Sequence, residues 1–99
     1  MNRTDYDRAD VVRAFREVGV KPGDVVFGHS SVAMLGVPDV GLREDAIAEL
    51  FLSAFREVAG ADGTWVLPAY TYSYTKDEIF DPASTPPTKD MGLLPNALW

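Results

Sequence analysis

Val25-Val26-Phe27-Gly28-His29-Ser30-Ser31 is the stretch on which the fold turns. An apolar run passes without a break into a glycine and then three polar residues. That pattern predicts a buried strand over 25–29 whose carboxyl end opens into a loop carrying His29, Ser30 and Ser31. A run that is apolar on both faces suits a parallel sheet with helices on both sides. Ligands of open α/β sheets bind in the crevice beyond the carboxyl ends of such strands. The single histidine of the chain stands at that place. The plain alternative is a polar turn that carries no chemistry.

Working outward, Lys21-Pro22-Gly23-Asp24 precedes the strand and reads as a type II turn. Ahead of it, Val11, Val12, Phe15 and Val18 recur at helical spacing. They predict a helix of about 12 residues with Asp7 as N-cap and Gly19 as stop. Downstream, residues 30–43 show no periodicity and read as a loop. Ile47, Leu50, Phe51, Ala54 and Val58 then mark an amphipathic helix from Glu44 to Ala59. After a tight turn at Ala61-Asp62-Gly63, Thr64-Trp65-Val66-Leu67 is a second strand, and Pro68 ends it.

Strand, helix and strand in this order make a right-handed βαβ unit with parallel strands and flanking helices, an α/β fold. Both strands then end on one rim. The expectation is a single crevice shared by residues 29–31 and 69–72. Residues 73–94 lack a pattern, and Leu94-Pro95-Asn96-Ala97-Leu98-Trp99 reads as the first turn of a further helix. Two strands and two helices leave sheet edges open and the core unclosed. Residues 1–99 are therefore read as the N-terminal part of a larger α/β domain, with completion by a homo-oligomer as the alternative.

The chain has 99 residues, 9 Lys and Arg against 15 Asp and Glu, and a net charge of −6. Scattered basic residues in an acidic chain argue against nucleic acid as a partner. No stretch approaches the roughly 20 apolar residues of a membrane span. Cysteine is absent, which excludes disulfides and thiolate chemistry and fits a cytoplasmic protein. The first residues, Met1-Asn2-Arg3-Thr4-Asp5, lack the apolar core of a signal peptide.

Several chemistries fail on spacing. His29 and Ser30 point to opposite faces of a strand, and His29 and Ser31 stand roughly 6–7 Å apart if extended, so no serine nucleophile is paired with its base. One histidine with dispersed carboxylates does not assemble a metal site. Gly36 and Gly41 fit neither phosphate-binding glycine pattern. Binding remains. Hydroxyls and backbone N–H groups at a strand end can hold phosphate or amide groups of an extended cofactor. Tyr70, Tyr72 and Tyr74 add flat amphipathic surface, or simply pack at the sheet edge.

Four blocks in order resemble the aminoglycoside 3-N-acetyltransferase family. They are Gly19-Val20-Lys21-Pro22-Gly23-Asp24 with His29-Ser30-Ser31, Gly63 through Thr71, Phe80-Asp81-Pro82 with Thr85-Pro86, and Met91-Gly92-Leu93-Leu94-Pro95. Within the match, the family often carries a Gly-Gly pair before the second helix, where only Gly41 stands here. The resemblance implies a larger α/β acetyltransferase domain that takes acetyl-CoA as acyl donor and a small-molecule amine, an aminoglycoside or related amino sugar, as acceptor. It places His29, Ser30, Ser31, Val32, Leu35, Gly36 and Thr71 on the cofactor side, and Tyr70, Asp81 and Met91 on the substrate side. The family's catalytic histidine belongs to a later block than any in this chain, so no catalytic residue is carried over. His29 is given a structural or cofactor-side role. The alternative is a non-catalytic coenzyme A-binding module, or an acyltransferase with another donor or acceptor.

Overall fold

A capping box starts the first helix. The Asp10 N–H donates to the Asp7 carboxylate, and the Asp10 carboxylate accepts from the Asp7 N–H, both at 2.9 Å. Two orphan donors of the first turn are thereby satisfied. In the computed structural model, which describes residues 3–99, the elements are α1 (Arg8–Glu17), β1 (Val25–Phe27), α2 (Glu44–Ala59), β2 (Thr64–Val66) and α3 (Leu93–Leu98). Short 3-10 turns lie at Val32–Leu35 and Lys89–Met91. No helix among the described residues is long and apolar enough to cross a membrane.

The strands pair in parallel with Val25 opposite Thr64, Val26 opposite Trp65 and Phe27 opposite Val66. The Pro22-Gly23 turn feeds β1, with the Asp24 N–H donating to the Lys21 carbonyl at 3.1 Å. The apolar stripe of α2 is buried as its periodicity requires: Ile47, Leu50, Phe51, Ala54 and Val58 all lie in the core with Val11 and Val12 of α1. Phe15 of α1 and Phe55 of α2 both pack on the Trp65 ring, at centroid distances of 5.5 and 5.1 Å. Both helices therefore cover the same face of the sheet. On the surface, Arg8 ties them further, reaching Glu57 at 2.6 Å and the Ser53 carbonyl at 3.1 Å.

That one-sided arrangement corrects the reading of β1 as covered on both faces. Val25 is 72% exposed and Phe27 59% exposed, because no element of the described chain packs on their side. The strand also ends at Phe27 rather than His29. Val18 does not continue the α1 stripe; it is the C-cap residue and lies exposed. Residues 30–43 are not plain loop: Val32 is buried in the core, and the chain around it coils into a 3-10 turn. Within 73–94, turns and the second 3-10 segment lead into α3, which starts at Leu93 and docks through Leu94, only 1% exposed.

Candidate functional site

The rim predicted from the sequence exists. β1 and β2 run parallel, and the ladder continues one residue further, with the Gly28 N–H donating to the Val66 carbonyl at 2.9 Å. Gly28 is required there by close approach. A Cβ at that position would lie 2.7 Å from the Trp65 indole nitrogen, so a side chain would displace the ring that joins both helices to the sheet.

Beyond the rim, three clefts divide the space. The first, of about 510 Å³, lies between Arg3 and Tyr6 at the chain start, the Ser31–Gly36 loop, the start of α2 and Gly92-Leu93. A second of about 230 Å³ is lined by Ser30, Ser31, Val32, Leu35, Trp65 and Leu94. A third of about 360 Å³ runs between Thr71 and Ser73 on one side and Thr85, Lys89 and Asn96 on the other.

The single shared crevice is therefore corrected to neighbouring clefts, and the second 3-10 segment separates them. On one side the Thr88 N–H donates to the Tyr70 carbonyl at 2.9 Å. On the other, a Cβ built on Gly92 would lie 3.5 Å from the Ser30 carbonyl oxygen. Asn96 of α3 fastens the segment by donating to the Thr88 and Gly92 carbonyls, at 3.2 and 2.8 Å.

Of the residues singled out from the sequence, Ser30, Ser31, Val32, Leu35 and Gly36 come together around the first two clefts. Thr71 lies in the third, where its hydroxyl is 3.0 Å from that of buried Ser73. His29 lines none of the three; its ring meets Phe27 edge-on at a centroid distance of 5.2 Å. Tyr70, Asp81 and Met91 also stay outside them. The Asp81 carboxylate accepts from the Ala83 N–H at 2.9 Å, and Met91 closes the 3-10 segment. Among the described residues, no three His, Cys, Asp or Glu side chains converge as a metal site would require.

Sequence reasoning missed Asp5 and Tyr6. The Asp5 carboxylate accepts from the Val37 N–H at 2.8 Å and lies 3.0 Å from Arg3 Nε. The Val37 amide first, and Arg3 beside it, hold this carboxyl below its ordinary range. Tyr6 lines the first cleft, packs against Phe51 at 6.0 Å, and has a buried hydroxyl with no hydrogen-bond partner among the described residues. Desolvation pushes that phenol up. Neither residue belongs to a periodic pattern, so nothing local in the sequence marks them.

No protein-family model matches the chain, and no solved structure matches it. Among curated proteins, the chain is 34% identical over 95 residues to aminoglycoside N(3)-acetyltransferase IV of Salmonella sp. The match takes in 96% of this chain and 33% of that protein. The chain thus spans about a third of the length of this relative, consistent with an N-terminal portion. Along nearly its whole length, the chain resembles the aminoglycoside 3-N-acetyltransferase family.

Proposed function

We propose that residues 1–99 form the N-terminal part of a single acetyltransferase domain, which moves an acetyl group from acetyl-CoA to an amine of an aminoglycoside or related amino sugar. The observation that carries the reading is spatial. Two of the blocks that resemble the family, Ser30-Ser31 and Gly92-Leu93-Leu94, lie some sixty residues apart in sequence and line the same two clefts. The exposed sheet face carrying Val25, Phe27 and Val66 is where the rest of such a domain would pack.

The first cleft suits an extended arm of mixed polarity. Val32, Val37, Ile47 and Leu93 offer apolar wall, while Ser31 supplies a hydroxyl. Apolar lining with a few fixed polar groups is how small-molecule clefts orient a ligand. Acetyl-CoA supplies the acyl group; this chain's part is to bind and orient it. Attack by an amine needs a general base to take the ammonium proton, and donors to meet the oxyanion that forms on the thioester carbonyl. No residue of this chain is given the role of base.

The test is direct. The complete protein is mixed with acetyl-CoA and a panel of aminoglycosides and amino sugars, and thiol release is followed. Release with one acceptor class supports the reading and names the acceptor. No release with any amine, while coenzyme A still binds, supports a binding module in its place.

A further inference from the structure

Two residues ahead of α1, Asp5 and Tyr6, lie along the loop that carries the candidate cofactor contacts. The Asp5 N–H donates to the Val37 carbonyl at 2.7 Å, and the Asp39 N–H donates to the Tyr6 carbonyl at 3.0 Å. Tyr6 and Pro38 form an isolated parallel bridge. The Asp5 side chain closes the pattern by accepting from the Val37 N–H at 2.8 Å. The other hydrogen bonds of residues 31–41, from Met34 to Ser31 and from Gly41 to Pro38, stay within the loop. Among the described residues, every hydrogen bond tying 31–41 to another part of the chain goes to Asp5 or Tyr6.

Gly36 shows how closely the two segments fit. Its φ is 95° and its ψ −155°, a region open in practice only to glycine. A Cβ there would overlap the Asp5 carboxylate, lying 2.8 Å from its carboxyl carbon. The space a side chain would take at 36 is filled by the acid at 5.

We propose that Asp5 is a positioning residue for the coenzyme cleft: its carboxylate, seated over Gly36 and bonded to Val37, fixes the loop that presents Ser31 and Val32. The inference rests on the reading that acetyl-CoA occupies this cleft. Asp5 acts through the loop. Its loss lets residues 33–37 sample other conformations, and ordering them again is charged against binding.

The experiment compares Asp5→Ala with Asp5→Asn in the complete protein, by calorimetry with coenzyme A and by the KM for acetyl-CoA. Asp5→Ala weakens coenzyme A binding about tenfold and raises KM with kcat unchanged, the mark of lost binding rather than lost chemistry. Asp5→Asn keeps an oxygen for the Val37 N–H and stays within about threefold of the parent, a rescue that a general loss of stability would not give. Tight binding by Asp5→Ala overturns the inference and leaves the cofactor reading intact, as does equal loss in both variants. A parent protein that does not bind coenzyme A overturns the cofactor reading itself, and this inference with it. Hydrogen exchange in the parent needs no variant to fold: the Val37 amide is protected, and free exchange there would overturn the clamp.

Discussion

Leu94→Ala tests how α3 is joined to the body. Leu94 is 1% exposed and belongs to the same core cluster as Val32, Phe51 and Ala54. The substitution deletes three carbons, worth about 2.4 kcal/mol at roughly 0.8 kcal/mol per buried methylene. A closed cavity would add about 24 cal/mol for each Å³ left empty. Here the space opens onto the cleft of about 230 Å³ lined by Ser30, Ser31 and Trp65, so it need not stay empty. The cavity contribution is correspondingly small, and the expected loss is about 2.5–3.5 kcal/mol, in the lower half of the range for buried leucines. Leu98 on the same helix is 48% exposed and provides the control, at under about 1 kcal/mol. Urea denaturation followed by tryptophan fluorescence measures both. Equal losses in the two variants would refute the docking of α3 through Leu94.

Further expectations come from the loop, the cleft and the surface charges. Gly41→Ala, with φ at 92° and open space around it, costs about 1–3 kcal/mol of backbone strain; Gly36→Ala costs more, because the Asp5 carboxylate must also move, and equal midpoints in denaturant would contradict the contact. Tyr6→Phe removes a buried hydroxyl that has no partner among the described residues and stabilises the unliganded protein by about 1 kcal/mol, seen as a raised Tm; a lowered Tm would mean that the hydroxyl is bonded after all. Asp5, Asp10, Asp45 and Glu57 are all held below their ordinary values, chiefly by the Val37 N–H, the Asp7 N–H, Arg43 and Arg8 respectively. For such groups the folded state binds the proton less tightly than the unfolded one. Their contribution is complete above the unfolded values of about 4 and is lost as pH falls through the depressed folded values. The urea midpoint therefore drops on acidification below about pH 4, and a flat profile there would show that these carboxylates are unpaired in solution.

Local chemistry settled much of this molecule in advance. The spacing of Ile47, Leu50, Phe51, Ala54 and Val58 is enough to mark α2, and its observed span is the one read from the sequence. Asp7 as N-cap, the Pro22-Gly23 turn and the parallel pairing of two strands around a helix were equally legible. Each depends on neighbours within a few residues or on the handedness of one crossover. The place of Ser30 and Ser31 just beyond β1 was legible for the same reason, since a strand end and its loop stay close in sequence, whereas Val32, Leu35 and Gly36 were pointed to only by the family resemblance and are found lining the same clefts.

Other features were decided only by the folded chain. An apolar strand reads the same whether one face or two are covered, so the exposure of Val25 and Phe27 could not be seen in it. The turn at Val32–Leu35 carries no period, and the burial of Val32 against a core built mainly by α1 and α2 holds it in place. The rim divides because Thr88 bonds Tyr70 while Gly92 lies against Ser30, contacts across 18 and 62 positions. Asp5 meets Gly36 and Val37 for the same kind of reason. Hydrophobic period and capping report what a residue does with its own turn of chain. Which distant backbone amide an acid will find, and which glycine must stay bare to admit it, is set only when the packing of α1 on α2 brings the segment ahead of α1 beside the loop that precedes α2.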